Sequence, residues 1–290
     1  MKLIAPAKIN LYLAVGARRP DGLHEIESVM QSVSVSDELS IEPAEAVTFD
    51  VEPTGAAPED ETNLVVRAVR ALASAAGASG GASLRLTKSI PTGAGLGGGS
   101  SDAAATLVGL NELWRCGISR KALEKIGAGI GADVPFCVRG GTAVARGAGE
   151  ALAPLVVRSR LSWVIAMPSE SLATADVYAR FDELGAAPAE SDPSGLADAL
   201  ARGDLDRIGS SLRNDLAEPA LSLVPSLASV RDALAGAGVI GVVMSGSGSA
   251  WCGLARDAAH AEEIAAAVRD RVDRTWAVTS LDRGPRIAER

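Results

Sequence analysis

Large rings are nearly missing from this chain: Phe, Trp and Tyr together make up 3% of its 290 residues. Ring stacking is therefore a scarce resource wherever a ligand needs it. Cysteine is scarce too. Cys116, Cys137 and Cys252 are far apart, odd in number and without CxxC or histidine neighbours. That excludes a disulfide framework and a cysteine metal site, and it fits a reducing cytoplasm. No apolar run reaches membrane-spanning length, and Met1-Lys2-Leu3-Ile4 leads straight into Pro6 and Lys8, so neither a membrane span nor a signal peptide is expected. Positive charge has no excess either. The formal net charge is −8 with no basic stripe, which excludes a nucleic-acid polymer as partner. What remains is a 47% apolar chain with ample material for a core, long enough for one large domain or two medium ones.

The most informative stretch is KSIPTGAGLGGGSSDAAATLVGLNEL, from Lys88 to Leu113. Gly93, Gly95, Gly97, Gly98 and Gly99 precede Ser100-Ser101-Asp102, and Gly109 follows. From there Ala103, Leu107, Leu110 and Trp114 share one helical stripe. Ahead of the glycines, Leu84 and Leu86 alternate with Arg85 and Thr87 as in a short half-buried strand. The order is strand, glycine loop, helix. Such a loop has no Cβ atoms to block a ligand, and the first helical N–H groups have no internal partner. With the positive end of the helix dipole they make an anion site, suited to nucleotide phosphates. Gly93-Ala-Gly95-Leu-Gly97-Gly98 formally fits GxGxxG, which would point to a nicotinamide dehydrogenase. That pattern also needs an acidic residue about 20 positions on, after a second strand, and Glu112 lies within the helical stripe instead. No Gly-Lys-Ser/Thr ends the run, which excludes a Walker A loop. A plain flexible linker would need neither Pro91 nor an amphipathic helix.

Before this stretch, Lys2 to Val51 alternates like antiparallel strands, with Arg19-Pro20-Asp21-Gly22 as a turn. Thr62 is expected to cap a helix from Leu64 to about Gly77. Ser119 caps a further helix carrying Leu123, Ile126 and Ile130, ended by Val134-Pro135, with short strands near Phe136–Val138 and Thr142–Ala145. The pattern changes around Glu150–Arg160, giving domains 1–153 and 154–290. The second half reads as strand Leu161–Met167, helices at about Thr174–Leu184, Ser194–Ala201, Leu205–Arg213 and Ser226–Ala235, then strands Val239–Met244 and Ala250–Ala255. A helix Asp257–Val272 and strand Thr275–Leu281 follow. This is the order of a split βαβ, ferredoxin-like layer. Glu183–Pro193 reads as a surface loop, His260 as solvated, and Asp102 as compensation of the helix dipole.

Three motifs stand out together: Pro6-Ala7-Lys8-Ile9-Asn10-Leu11, Pro91–Ala103, and Met244-Ser245-Gly246-Ser247-Gly248-Ser249. Their order and spacing resemble the GHMP small-molecule kinases over essentially the whole chain. PAKINLYL, the Asp21-Gly22-Leu23-His24 turn, GLGGGSSDAA and Gly131-Ala132-Asp133-Val134-Pro135-Phe136 are most similar to the members that phosphorylate the 2-hydroxyl of a cytidine diphosphate-methylerythritol in the non-mevalonate isoprenoid pathway. The resemblance implies an α+β, two-domain fold with a ribosomal-S5-like βαβ N-terminal domain, a ferredoxin-like C-terminal domain and a site in the cleft between them. It implies ATP as phosphate donor, held by Pro91, Gly93, Gly95, Leu96, Gly97, Gly98, Gly99, Ser100 and Ser101, with Asn63 and Lys88 near the adenine. The catalytic pair maps to Lys8 and Asp133. Asn10, His24, Thr174, Tyr178, Gly246 and Gly248 map to the acceptor side.

The residue types suit that chemistry. Phosphoryl transfer needs positioned reactants and neutralised charge. An Asp can take the acceptor hydroxyl's proton, and a nearby Lys keeps that carboxylate ionised. Mg²⁺ is expected to arrive with ATP, with Ser101 as a candidate ligand and no acidic ligand identified. Leu23 departs from the resemblance, because most relatives carry an aromatic residue there that stacks on cytosine. The nearest rival is another GHMP kinase, such as homoserine kinase. A nucleotide-binding protein without catalysis is a third reading, against which Lys8 and Asp133 both argue. The expected state is a monomer or homodimer.

Overall fold

The computed structural model describes residues 1–78, 80–185 and 191–289. Part of the expected loop Glu183–Pro193 therefore lies outside the described residues. Two sheets organise the chain. The first runs in the order β12-β1-β2-β4-β3, formed by β12 (Arg286–Glu289), β1 (Lys2–Arg18), β2 (His24–Ala44), β4 (Gly81–Thr87) and β3 (Val47–Glu52). Strand β5 (Thr142–Gly147) adds to β2, β6 (Ala151–Pro154) to β5, and the two-residue β8 (Arg213–Asn214) to β1. The second runs β11-β7-β10-β9, from β11 (Arg274–Thr279), β7 (Ser162–Met167), β10 (Trp251–Ala255) and β9 (Gly241–Met244). Its pairings are all antiparallel, as a ferredoxin-like layer requires.

Helix α1 (Leu64–Ala76) connects β3 to β4, which run parallel, so this unit is βαβ rather than the antiparallel series that the alternation predicts. A parallel neighbour must be reached by a crossover, and α1 is that crossover. The cap of α1 is Asn63, not Thr62: Asn63 Oδ1 accepts from Val65 N at 2.8 Å, whereas Thr62 donates to Asp60. Helix α2 (Gly98–Leu113) follows the glycine loop and is buried almost all round. Helix α3 (Arg120–Ala128) is capped by Ser119 as expected. Phe136–Val138 is not a strand but the centre of α4 (Val134–Arg139). Pro135 at its first turn favours a helix start, and a three-residue apolar run carries no period by which to tell helix from strand.

In the second half, α5 (Thr174–Glu183), α6 (Ser194–Arg202), α7 (Leu205–Ser210), α8 (Ala217–Leu223), α9 (Leu227–Gly236) and α10 (Ala258–Val268) surround the second sheet. Helix α7 ends at Ser210 rather than Arg213, because Arg213–Asn214 pairs with Tyr12–Leu13 of the first sheet. Strand β12 returns there as well, beside Lys2–Ile4. His260 is buried, and its Nδ1 accepts from Arg256 N at 3.3 Å.

Strand β1 is buried on both faces, and one irregularity decides what it does. Its pairing with β2 shifts register between Pro6 and Lys8. Leu3 and Ala5, before the shift, join the core beneath α1 and α2; Ala7, Ile9 and Leu11, after it, join the core against the second sheet. A bulge twists and bends a strand locally, which carries the same alternation onto a new surface. Lys8 and Asn10 then project between these apolar residues towards the junction of the sheets. Trp163 of β7 seals that junction: it is fully buried, and its Nε1–H donates to Gln31 Oε1 at 2.9 Å. Trp163→Ala is expected to lower stability by about 3–5 kcal/mol, read as a lower midpoint in urea unfolding, because it opens a cavity and leaves the Gln31 oxygen unpaired.

Candidate active site

Where the glycine loop meets the second sheet there is a cavity of about 850 Å³. One wall is the loop itself, from Pro91 to Ser100. Gly97 is the N-cap of α2 and has a left-handed backbone, φ 67°, with no side-chain cap to occupy the first N–H groups. Those groups remain available to an anion. A Cβ on Gly97 would come within 2.8 Å of Lys8 Cγ, and one on Gly95 within 2.0 Å of the Ser245 carbonyl oxygen. Glycine at these two positions is thus demanded by packing as well as by φ.

The loop is held from three sides. Lys8 N donates to Leu96 O at 2.9 Å. Ser245 Oγ donates to Gly95 O at 2.8 Å and accepts from Asn10 N, so one hydroxyl joins β1, the glycine loop and the β9–β10 turn. Asn214 Nδ2 donates to both Met244 O and Gly246 O at 2.7 Å and fixes that turn. The third tie is ionic. Lys88 Nζ lies between Asp102 Oδ2, at 2.7 Å, and Asp37 Oδ2, with all three side chains buried. Asp37 also accepts from Ser89 N and Ile90 N, whereas Asp102 Oδ1 has no partner among the described residues. Asp102 therefore does more than oppose the helix dipole, and it sits beyond the first turn of α2. One ammonium cannot balance two buried carboxylates. Burial, as the largest effect, pushes the Asp102 carboxyl far above the ordinary range, although the Lys88 charge pulls the other way.

At the centre, Lys8 Nζ donates to Asn10 Oδ1 at 2.7 Å and faces Asp133 Oδ2 at 3.4 Å. Lys8 is buried on β1; Asp133, partly exposed, sits at the start of α4. Asn10 Nδ2 donates to Ser28 Oγ, which in turn donates to Tyr12 O, so the amide is fixed in orientation. The far wall comes from α5 and the β1–β2 turn. Thr174, Tyr178 and Asp182 line it from one helix face, with Leu23 and His24 beside them. His24 stacks on Tyr178 at 5.1 Å and meets the edge of Phe181. Burial, and then the charge of Asp133, push the Tyr178 hydroxyl up to about 12, so it stays protonated.

The cavity brings together Lys8, Asp133, Asn10, His24, Thr174, Tyr178, Gly246 and the loop from Pro91 to Ser100. It does not include Asn63, which caps α1 and donates to Pro58 O, or Lys88, whose ammonium is held by its two carboxylates. Ser101 turns its hydroxyl to Pro6 O at 2.7 Å, and Ser247 rather than Gly248 reaches the cavity. Arg18 and Asp182 are lining residues that the sequence reading did not single out. Asp182 was detectable, since residues 174, 178 and 182 follow the four-residue spacing of one helix face.

The GHMP kinases N terminal domain model matches residues 63–141, and the GHMP kinases C terminal model residues 196–274. A 4-diphosphocytidyl-2-C-methyl-D-erythritol kinase of Salinispora tropica is 43% identical over 92% of this chain and 87% of its own length. The chain belongs to the GHMP kinases. It is thus an ATP-dependent small-molecule kinase, and the dehydrogenase reading of the glycine pattern falls away. The relative of the same name from Pelotomaculum thermopropionicum is 42% identical over 95% of this chain and 96% of its own. A crystal structure of 4-(cytidine 5'-diphospho)-2C-methyl-D-erythritol kinase superposes with a TM-score of 0.82 at 39% identity, covering 97% of this chain and 99% of that one. A homoserine kinase from Cytophaga hutchinsonii superposes at 0.77 with 23% identity over 99% of this chain and 96% of its own, a likeness of fold alone.

The buried carboxylate makes a pH prediction. In the folded chain Asp102 holds its proton from the ordinary value of 3.8 up towards about 8, while the unfolded chain releases it from 3.8. The folded state binds more protons across that window, so this group's contribution to stability falls as pH rises. Asp102→Asn is expected to flatten the decline, seen as a smaller drop in urea midpoint between pH 5 and pH 8 than in the parent chain.

Proposed function

We infer that the chain transfers the γ-phosphoryl group of Mg-ATP to the 2-hydroxyl of 4-diphosphocytidyl-2-C-methyl-D-erythritol, a step of the non-mevalonate isoprenoid pathway. The observation that carries this is the Lys8–Asp133 pair, 3.4 Å apart, where the glycine-loop wall meets the α5 wall. Relatives above 40% identity over nearly the whole chain support the choice of acceptor.

Each group has work suited to its chemistry. Asp133 accepts the proton of the attacking hydroxyl. Lys8, buried and anchored on Asn10, faces that carboxylate at 3.4 Å and offsets the charge developing on the transferred group. Unpaired N–H groups at the start of α2 receive phosphate oxygens, which requires no side chain. Thr174, Tyr178 and His24 are suited to hold the cytidine end of the acceptor, with the base edge near His24.

Mg²⁺ is expected to enter with the ATP phosphates, which act as ligands themselves and leave few for the protein to supply. Among the described residues no group of three acidic, histidine or cysteine side chains is arranged for a metal. Ser101, the candidate ligand, is committed to Pro6 O, whereas Thr92 and Ser100 are the hydroxyl-bearing loop residues that line the cavity. Three free cysteines fit the reducing cytoplasm as the place of action. Among the described residues no helix is long and apolar enough to cross a membrane.

The test is ADP release against the cytidylyl acceptor, homoserine and mevalonate. Turnover with the first alone is expected; preference for either of the others would refute the assignment. Asp133→Asn is expected to lower kcat by about a hundredfold or more, the scale of a lost general base, with the KM for ATP little changed.

A further inference from the structure

Three buried polar side chains behind the glycine loop take no part in the steps above: Lys88, Asp37 and Asp102, none more than 4% exposed. Lys88, expected near the adenine, does not line the cavity, whereas Gly98 does. A Cβ on Gly98 would lie 3.2 Å from Lys88 Nζ and 3.0 Å from Ile90 Cγ2, so the ammonium rests against the back of the residue that opens α2. Asp102 Oδ2 takes that ammonium at 2.7 Å from the second turn of α2. Asp37, on β2, takes it as well, and its other oxygen accepts from Ser89 N and Ile90 N where the chain leaves β4. The chain therefore enters and leaves the glycine loop at one ammonium. Apolar side chains of similar volume often replace a buried ionic cluster without loss of stability, so packing alone does not require these three. What apolar contacts lack is direction: hydrogen bonds fix the angle as well as the distance between the end of β4 and the first turn of α2. That angle decides where the free N–H groups after Gly97 point.

We propose that Lys88, with Asp37 and Asp102, is a positioning residue of the nucleotide wall: it clamps the start of α2 to the end of β4, so that the loop amides meet the ATP phosphates already aligned, and it takes no part in reading the adenine. The inference rests on the loop as the phosphate site, as inferred above. A loop that is free in the empty chain has to be ordered by its ligand, and that cost is subtracted from affinity. The clamp therefore acts on the phosphate chain of the nucleotide and on nothing else that binds. The base has no phosphate to align, and the acceptor meets the opposite wall, formed by α5 and the residues around His24.

The experiment uses two partial ligands as competitive inhibitors of ATP turnover, with Mg²⁺ in excess and the acceptor that the chain turns over: adenosine, which has no phosphate, and inorganic tripolyphosphate, which has no base. The parent chain is compared with Asp102→Ala, Asp102→Asn and Lys88→Met. Asp102→Ala cuts the clamp but leaves Lys88 paired with Asp37, so it keeps the test alive if Lys88→Met does not fold. In Asp102→Ala and Lys88→Met the Ki of tripolyphosphate and the KM for ATP are expected to rise together by about tenfold or more, the scale of one hydrogen bond to a charged group. The Ki of adenosine and the acceptor KM should stay constant. Asp102→Asn keeps an acceptor oxygen for the ammonium and should recover most of the loss. A rise for adenosine with tripolyphosphate unchanged would make Lys88 an adenine contact, and equal rises for adenosine, tripolyphosphate and acceptor would mark a general loss of structure. Either result, no change in any constant, or an Asn variant no better than Ala would overturn the clamp while leaving the phosphate site intact. A parent chain in which tripolyphosphate does not compete with ATP would overturn both.

Discussion

A lysine ammonium held between the buried side chains of Asp37 and Asp102 fixes the frame of this site. Lys88 leaves the end of β4, Asp37 lies on β2 and Asp102 on the second turn of α2, so the cluster ties together the strand before the glycine loop, its neighbour and the helix after it. Asp37 adds the N–H groups of Ser89 and Ile90, the last residues before the loop begins. A loop of glycines has the largest backbone entropy to lose, and a ligand would otherwise have to order it on arrival. Anchoring both ends removes most of that cost beforehand. The arrangement is itself expensive, because Asp102 keeps one oxygen without a partner. Such charge burial is weak evidence for stability, and its use here is to define one position for the loop.

From this frame the positions of the proposed reacting groups follow by geometry. The register shift between Pro6 and Lys8 turns β1 so that Lys8 and Asn10 face the junction while Ala7, Ile9 and Leu11 seal it. Lys8 is consequently held at both levels: its N–H on the Leu96 carbonyl and its ammonium between Asn10 and Asp133. A lysine so placed cannot swing to solvent, and the missing side chain at Gly97 is what lets its methylenes lie against the loop.

Much of this was legible in the residues, for reasons that can be named. The glycine loop was visible because the absence of Cβ atoms, followed by an amphipathic helix, is a local property. The ferredoxin-like order of the second half was visible because its longer strands and helices, such as β7, α5 and α10, show their period. Elements without a period were not: Phe136–Val138 became helix, Arg213–Asn214 became a strand that only β1 stabilises, and α8 passed unnoticed. Asp102 looked like an ordinary residue near a helix start, because its ion-pair partner, Lys88, lies 14 residues away. Lys8 and Asp133 meet only through the fold, and their pairing came from resemblance to a family rather than from spacing. Burial of His260 was likewise hidden, since alanines and charges around it read as a solvated face.

The two walls of the cavity are built on different principles, and that difference bears on how such a fold can serve several acceptors. The phosphate wall is backbone: N–H groups at a helix start, presented by residues whose side chains are absent or turned away, as with the Ser101 hydroxyl on Pro6. Its chemistry depends on conformation, so it persists wherever the conformation does. The opposite wall is made of side chains, Thr174, Tyr178 and Asp182 from one face of α5 with Leu23 and His24 where β2 begins. Ser245 ties the β9–β10 turn to the glycine loop, and Asn214 holds that turn beside β1. On the proposed function, the acceptor is chosen by a handful of side chains, while the donor is held by the shape of the main chain.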